Sequence, residues 1–485
     1  MYPYYEADLK AGVIDSQKAA EWIDAVWLKI ASLPQSFQNM TLGGCDQDGK
    51  FAGNDITLLA MQASRKIAKD QPLISFRYRP DIPPEFWDEI LELIRSGLGF
   101  PAMFNDEMIF QAKKSAGVDQ KDLWKYAIVG CVEPSIPGDE YAKTEQLRVN
   151  WAKVIELMLN PGVGGLWPQT SKNLDDITEF EDFYQWYQDE LAYFTRLGMR
   201  ACNLLDQCYG YLWPSPFLSA LVKDCVENGC DITRGVLRYS FSSVNGTGMA
   251  DAVDSLLAVR EVVFSKKEMS LSQFAQVVNS GFFNAEPLRE KLTKSSIRFG
   301  NDTPDSNLMM KRLTDHFVSV INHTDNIYGK KFQAGLYSVD HHANLGKGTG
   351  TLPSGRMAGV SLANALSPCQ GADVNGPTAV MQSVLQVNHA LLGNGMVLDL
   401  KFTPQFLMKK QHLDALRALI EAYFSGGGME VQFNVVNRET LLDAQVHPEN
   451  HRDLIVRVSG FSAYFINLDR VLQDEIIART EYAEV

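Results

Sequence analysis

The sequence lacks long apolar runs and has an excess of acidic residues. No stretch approaches the ~18 consecutive apolar residues that a membrane-spanning helix needs. The N-terminus has no basic region followed by an apolar core, the pattern of a signal peptide. Lys and Arg number 45 against 59 Asp and Glu, which gives a formal net charge of −14. Because nucleic acids and anionic membranes attract basic patches, we expect no nucleic-acid partner and no membrane span.

Cysteine is sparse, and its spacing suits neither a zinc ribbon nor a disulfide framework. The cysteines are odd in number and contain no Cys-x-x-Cys pair. They are Cys45, Cys131, Cys202, Cys208, Cys225, Cys230 and Cys369. Free thiols are typical of a reducing compartment, so we expect a cytoplasmic protein, and the same pattern is compatible with a bacterial microcompartment.

Several catalytic motifs are also absent. The sequence has no Gly-x-Ser-x-Gly elbow, no Walker loop, no complete Gly-x-Gly-x-x-Gly after a strand and no His-Glu-x-x-His. The adjacent His341 and His342 have no acidic ligand at helical spacing, which favours a structural or loop role for them. We therefore expect no metal site.

What is present is an ordinary globular composition with alternating helical and strand-like segments. Of the 485 residues, 45% are hydrophobic and 21% charged, which excludes a disordered chain, a collagen and a coiled coil. Apolar periodicity predicts helices over 15–28, 82–98, 179–206, 250–264 and 405–424. Short apolar runs predict strands over 73–78, 127–130, 431–436 and 454–458. Strands separated by helices indicate an α/β fold, and the Gly/Asn-rich stretch 341–378 is predicted to be a long loop with a function.

Two segments carry candidate chemistry. In Ile128-Val-Gly-Cys131-Val-Glu133-Pro134, an extended backbone would place the thiol and the carboxylate on one side of a strand, with Pro134 stopping the ladder. We call residues 130–134 the cysteine loop. In Arg457-Val-Ser-Gly460-Phe-Ser-Ala-Tyr-Phe465, a strand runs into a glycine turn, and we call residues 457–465 the glycine loop. Taken singly, each segment has a simpler interpretation, a buried thiol beside a surface acid and an ordinary turn.

Taken together, the two segments resemble the two signatures of the glycyl radical enzymes, in the family's order and with the glycine near the C-terminus. Further similarity lies in Asp443–Leu454, Gln473–Glu481, Ser354–Arg356, Asn375–Ala379 and Asn394–Leu398, so that it runs from residue 1 to 485. The resemblance implies an α/β barrel of ten strands in two five-stranded halves, with both loops inside. It also implies a pyruvate formate-lyase-like portion over 1–353 and a glycine radical domain over 354–485.

The residue types suit a radical relay. A glycine α-carbon can flatten because no Cβ resists, and its own N–H and C=O groups stabilise the radical. The resemblance implies that Gly460 stores the radical, that Cys131 is the transient thiyl and that Glu133 is the general base. It further implies no bound cofactor, but a radical installed after translation by a radical S-adenosylmethionine iron–sulfur activase.

The pattern Gly-Cys-x-Glu is similar to that of the eliminating members: glycerol and diol dehydratases, choline trimethylamine-lyase and sulfonate lyases. Arylacetate decarboxylases share it and are the alternative. Gly130 in place of a second cysteine argues against a formate C-acetyltransferase, which stays a further alternative. Thr144, Asn245, Pro377 and Thr378 are predicted to line a pocket for a small polar substrate.

Family members usually begin several hundred residues earlier, so we expect most of the first half-barrel to be missing from this chain. The expected partners are the activase, the substrate, a second copy in a homodimer and a chain that supplies the N-terminal portion. A non-catalytic or complementing subunit is the alternative to an enzyme.

Overall fold

The computed structural model describes residues 1–33, 37–141 and 143–483, and its centre is a curved series of short strands wrapped by helices. The strands in these ranges are β1 (Asn39–Gly43), β2 (Leu73–Tyr78), β3 (Ala102–Asn105), β4 (Ala127–Val129), β5 (Glu133–Ser135), β6 (Lys143–Asn150), β7 (Ser242–Thr247), β8 (Phe332–Gly335), β9 (Asp399–Phe402), β10 (Glu430–Val435), β11 (Ile455–Arg457), β12 (Ser462–Tyr464) and β13 (Glu481–Tyr482). The predicted α/β alternation is therefore present.

The helices surround these strands. They are α1 (Tyr2–Lys10), α2 (Ser16–Ala31), α3 (Asp55–Ile67), α4 (Pro84–Arg95), α5 (Asp106–Ser115), α6 (Trp151–Leu159), α7 (Phe180–Leu212), α8 (Pro216–Leu221), α9 (Met249–Val259), α10 (Leu271–Asn279), α11 (Glu286–Thr293), α12 (Pro304–Asn322), α13 (His341–Lys347), α14 (Gly376–Val384), α15 (Lys410–Ser425), α16 (Arg438–Val446) and α17 (Arg470–Ala478). Each of the five predicted helices is confirmed by an observed one: α2, α4, α7, α9 and α15. In α4 the signals were clear, because Pro83 and Pro84 occupy the N-cap and the first helical position and Gly97 follows the last turn.

Eight strands follow one another in the order β6-β7-β8-β9-β10-β3-β2-β1. Strands β6, β7 and β8 pair in parallel. The link from β8 to β9 is a single parallel bridge between Leu336, just after β8, and Met396, just before β9. Strands β9 and β10 are parallel, β10 and β3 are antiparallel, and β1, β2 and β3 are again parallel. Strands β6 to β10 thus run in one direction, and strands β3, β2 and β1 run in the opposite direction.

This arrangement bears on the barrel expected from sequence. The α/β class is confirmed, whereas the described ranges contain eight strands of the series and no closure between β1 and β6. The expectation that most of a first half-barrel is missing stays a prediction.

The 341–378 segment differs from the long loop that its composition predicted. Residues 341–347 form helix α13, and α14 begins at Gly376. Helix α13 is anchored because His342 is fully buried, with its Nε2 3.4 Å from a carboxylate oxygen of Glu475. Residues 348–375 between the two helices are irregular, as predicted.

Two hydrophobic cores hold the site region. The large one spans the strand series and most helices, and a smaller one joins α16 and α17 to the β11–β12 hairpin through Leu441, Val456, Phe465 and Ile476. The glycine loop therefore belongs to a C-terminal packing unit of its own. Among the described residues, no helix is both long and apolar enough to cross a membrane.

Candidate active site

The cysteine loop is the turn of a β-hairpin, which corrects the single extended strand expected from sequence. Strands β4 and β5 pair antiparallel with Val129 opposite Glu133, and Pro134 pairs with Ile128 rather than stopping the ladder. Three residues, Gly130 to Val132, make the turn, and Gly130 has a φ of +62°. Turns of this length need a residue with positive φ, which glycine adopts at little cost.

Glu133 reaches Cys131 because the hairpin folds back on itself. Its Oε2 accepts hydrogen bonds from the backbone N–H groups of Cys131 and Val132, at 2.8 and 2.6 Å. Its Oε1 lies 3.3 Å from the hydroxyl oxygen of Tyr337. Burial raises the pKa of the Glu133 carboxyl, and these hydrogen bonds offset only part of that effect. The acid is therefore a stronger base than an exposed glutamate.

The glycine loop is a second hairpin. Strands β11 and β12 pair antiparallel, and the N–H of Val458 donates to the carbonyl of Phe461 at 2.8 Å, which leaves Ser459 and Gly460 as the turn. Gly460 has a φ of +83°, in the backbone region that favours glycine. Both turn residues, Ser459 and Gly460, are buried.

The tips of the two hairpins touch. A Cβ built on Gly460 would collide with the Cβ of Cys131 and lie 3.3 Å from its Sγ. Only a residue without a side chain fits at this distance. The cysteine hairpin is attached to β1, where the amide of Asn39 donates to the carbonyl of Gly130, whereas the glycine hairpin is attached to β10. Segments 329 residues apart in sequence (460 − 131) thus meet at the tips of the two hairpins.

The Cys131 thiol is held in its neutral form. Burial, and then the neighbouring carboxylate of Glu133, raise the pKa of Cys131 far above its usual range. Nucleophilic cysteines are instead exposed to cationic surroundings that lower the pKa and yield thiolate. A buried, protonated S–H against a glycine α-carbon suits transfer of a hydrogen atom between them.

A cluster of polar side chains adjoins Glu133 from three other parts of the fold. The Tyr337 hydroxyl donates to the Thr144 carbonyl at 2.7 Å, and the amide of Asn394 donates to Asn245 and to Thr144, both at 2.9 Å. Asn245 also donates to the Thr144 carbonyl at 3.0 Å. A Cβ on Gly335 would collide with Oδ1 of Asn245, so the glycine at this position leaves room for the Asn245 side chain.

The structure thus brings five of the seven sequence-predicted residues together. Thr144 joins through its backbone carbonyl, and Asn245 through its side chain. Pro377 and Thr378 lie elsewhere, at the start of α14, in an open surface cleft of about 830 Å³ that is also lined by residues 480–483. No residue of the two loops lines this cleft.

Sequence reasoning missed Tyr337 and Asn394 as parts of the site. Their side chains are fully or almost fully buried and meet only because β6, β7 and the chain on either side of the Leu336–Met396 bridge converge. Asn394 begins the segment Asn394–Leu398, whose sequence resembles the family, and this resemblance was the one sequence signal for Asn394. Nothing in the local sequence marked Tyr337.

The histidine pair takes a structural position. His342 is buried beside Glu475, and His341 is half exposed beside Asp340. Within the described residues there is no group of three or more His, Cys, Asp or Glu side chains placed to hold a metal ion. The hypothesis of a structural role agrees with this placement.

Two family models match the chain. Pyruvate formate lyase-like matches residues 1–346, and glycine radical matches residues 362–466. The first covers well over half of the chain. This chain belongs to the glycyl radical enzymes.

Several proteins similar to this chain are dehydratases. It is 29% identical to the trans-4-hydroxy-L-proline dehydratase of Clostridioides difficile, over 99% of this chain and 63% of that protein. It is 29% identical to the (2S)-3-sulfopropanediol dehydratase of Klebsiella oxytoca, over 99% and 61%. Among solved structures, the glycerol-bound B12-independent glycerol dehydratase of Clostridium butyricum matches with a TM-score of 0.95 and 35% identity, over 99% of this chain and 63% of that one. The chain therefore spans somewhat over three fifths of the length of these relatives.

Proposed function

We propose that this chain carries the radical-storing glycine and the reactive thiol of a glycyl radical enzyme that eliminates a leaving group from a small polar substrate. The reaction would be that of a dehydratase or of a C–O, C–N or C–S lyase. Gly460 holds the radical, Cys131 carries it transiently and Glu133 is the general base. The observation that supports this assignment best is the contact between Gly460 and Cys131.

The first steps move hydrogen atoms. The α-carbon radical of Gly460 takes the hydrogen atom of the Cys131 S–H, which leaves a thiyl radical on sulfur. The thiyl takes a hydrogen atom from a substrate carbon that bears a hydroxyl group, which restores S–H and leaves a carbon radical. The neutral state of the buried thiol supports this role, because a thiolate has no hydrogen atom to give.

The elimination step then moves a proton and an electron pair. Glu133 removes the hydroxyl proton, and the bond from the adjacent carbon to the leaving group breaks with its electron pair going to that group. The product radical beside the new carbonyl takes a hydrogen atom back from Cys131, and the thiyl regains one from Gly460. The substrate has lost the leaving group and a proton, so no external oxidant or reductant is consumed. The raised pKa of Glu133 supports its role as the base.

The remaining assignments follow from the same proposal. Thr144 and Asn245 belong to the polar cluster that Tyr337 links to Glu133, and they are proposed to shape the substrate pocket, whereas Pro377 and Thr378 stay predictions without support from their position. The glycine radical domain supports the need for an activating enzyme. We propose a radical S-adenosylmethionine activase in this role, and we keep the homodimer, the cytoplasmic location and the domain boundary between residues 353 and 354 as predictions.

The experiment that tests the function is anaerobic activation followed by a substrate screen. The protein is incubated with a radical S-adenosylmethionine activase, and the radical is measured by electron paramagnetic resonance (EPR). Glycerol, propane-1,2-diol, choline, isethionate and arylacetates are then offered, and products are identified by NMR. We expect a glycyl doublet and a carbonyl product from one hydroxylated compound. Absence of the doublet, or release of carbon dioxide from an arylacetate alone, would overturn the proposal.

The raised pKa of Glu133 predicts that activity is lost on acidification at a higher pH than an exposed glutamate would give. A general base acts only when ionised, and burial raises the pKa of this carboxyl above its ordinary value of 4.5. We therefore expect kcat/KM to fall with decreasing pH while the solution is still above pH 4.5. Glu133→Gln should lower kcat by about 10²–10⁴-fold and remove this acid limb of the pH profile.

A matched variant separates this effect from a general loss of carboxylate charge. Glu107→Gln changes an exposed glutamate in the first turn of α5 and should leave both kcat and the profile unchanged. An acid limb that persists in Glu133→Gln would assign the base to another group.

A further inference from the structure

Strand β10 carries a row of buried polar side chains that the proposed chemistry has not used. Glu430, Gln432 and Asn434 alternate with Val431 and Phe433, so the polar residues share one face of the strand. All three polar residues are almost completely buried. Burying polar groups costs free energy unless hydrogen bonds replace water, so such a row needs partners.

Two members of this row, Gln432 and Asn434, have partners in the glycine loop, whereas Glu430 accepts from the backbone N–H of Leu398 at 3.0 Å. Oδ1 of Asn434 accepts from the backbone N–H of Arg457 at 2.7 Å, and its Nδ2 donates to the Arg457 carbonyl at 2.8 Å. Oε1 of Gln432 accepts from the backbone N–H of Gly460 at 3.1 Å and from Nε of Arg457 at 2.5 Å. Strand β10 thus holds the hairpin at its base and at its tip.

The orientation of the Gln432 amide is determined by its neighbours. Its Nε2 donates to Oδ2 of Asp399 at 3.1 Å, and that carboxylate also accepts from Arg479 at 2.7 Å. A guanidinium only donates, and an ionised carboxylate only accepts. The oxygen of Gln432 must therefore face Arg457 and Gly460, and its nitrogen must face Asp399.

Arg479 extends this support to the residues that precede the glycine. It lies just after α17 and donates to the carbonyl of Val458 at 2.6 Å and to that of Arg457 at 3.1 Å. The backbone on the N-terminal side of Gly460 is therefore held by four side chains: those of Asn434, Gln432 and Arg479, and that of Asn364, whose amide donates to the Val458 carbonyl at 3.1 Å. The N–H of Gly460 itself has one acceptor, Gln432.

We propose that Gln432 is the positioning residue of the glycyl radical, because it accepts the hydrogen bond from the Gly460 N–H. This inference rests on the proposed function of Gly460. A glycyl radical is stabilised by electron donation from its own nitrogen, and an acceptor on the N–H strengthens that donation. The same hydrogen bond restrains rotation of the peptide group and so keeps the α-carbon aligned with Cys131. Gln432 thereby sets both the lifetime of the radical and its distance from the thiol.

The test compares two substitutions at one position. Gln432→Met has similar length but no acceptor, whereas Gln432→Glu retains an acceptor oxygen. Each protein is activated anaerobically, and the radical yield, the α-proton hyperfine splitting and the decay half-life are measured by EPR. We expect Gln432→Met to show a changed splitting and a roughly fivefold or greater fall in yield and half-life, the effect of one lost buried hydrogen bond. Gln432→Glu should recover part of the yield, because its second carboxyl oxygen can donate to Asp399 only when the new carboxyl is protonated.

The control is Gln333→Met on β8. Gln333 is also almost completely buried on a central strand, but it contacts Lys113 rather than the glycine loop. A merely structural role for Gln432 would lower the melting temperature in either variant without moving the splitting. Wild-type splitting, yield and half-life in Gln432→Met would overturn the inference alone, whereas the lack of a radical in the wild-type protein would overturn the proposed function as well.

A second measurement needs no substitution that could impair folding. Wild-type protein labelled with ¹³C at the side-chain carbonyl of glutamine is activated, and electron–nuclear double resonance is recorded on the radical. We expect a ¹³C coupling from the residue that accepts the Gly460 N–H, and this coupling should vanish in labelled Gln432→Glu. Absence of the coupling in the wild-type protein would contradict the contact in the radical state.

Discussion

Gly460→Ala is expected to eliminate the EPR doublet completely under conditions in which the wild-type protein gives a strong one. The added Cβ would collide with the Cβ of Cys131, so the two hairpin tips would have to separate. An alanine radical would also keep a substituent on the carbon that must become planar. Loss of the signal should be accompanied by loss of all turnover, because no other residue stores the radical in the proposed mechanism.

The control for Gly460→Ala is an alanine at another glycine with positive φ, where the added Cβ strains the backbone but collides with no neighbour. Gly359 has a φ of +79°, close to that of Gly460, and a Cβ built there meets no atom within 4 Å. An alanine in this region costs about 1–2 kcal/mol at either position. Gly359→Ala should therefore give a normal doublet, with a small fall in melting temperature. A doublet of wild-type intensity in Gly460→Ala would show that the radical resides on another residue.

The two loops could be predicted from sequence because their chemistry restricts the residue type. The proposed radical on an α-carbon requires glycine, and the proposed hydrogen-atom carrier requires a thiol, so both candidate residues, Gly460 and Cys131, could be recognised by residue type. Helices such as α2 and α4 were also predictable, since each has its own apolar period and terminal residues. These features depend on local sequence.

The parts that were missed depend on tertiary contacts. The strand predicted over 127–130 is confirmed by β4, but its pairing with β5 was not predicted, because local apolarity does not reveal the three-residue turn between them. Tyr337 and Asn394 join the site only through convergence of separate strands. Helix α13 forms in a glycine-rich segment because a buried histidine anchors it next to Glu475.

The polar row of β10 shows how a local pattern can mislead. The alternation over Glu430–Val435 is typical of a strand with one face in water. In the structure the polar face is turned to the glycine loop and is buried. An alternating strand in a fold that encloses its site can therefore present its polar side chains to the reaction rather than to solvent.

Cys131→Ser is expected to separate storage of the radical from its use. Serine is nearly isosteric with cysteine, so the hairpin and the contact with Gly460 should be retained. The O–H bond is much stronger than the S–H bond, so the glycyl radical cannot take its hydrogen atom. The variant should therefore be activated to a normal doublet yet lose at least about 10³-fold in kcat, which corresponds to about 4 kcal/mol of activation free energy.

The measurement pairs EPR with turnover of whichever substrate the screen identifies, and Cys208→Ser is the matched control. Cys208 is exposed on α7 and lies in a different part of the fold, so its replacement should leave both the doublet and kcat unchanged. A second readout is hydrogen exchange: in deuterated buffer, the Gly460 α-hydrogen should be replaced in the wild-type protein through the thiol, whose hydrogen exchanges with water. In Cys131→Ser that exchange should stop, and the width of the doublet in deuterated buffer should stay that of the protonated radical. Exchange at the wild-type rate would mean that Cys131, although in contact with Gly460, is not the group that takes its hydrogen.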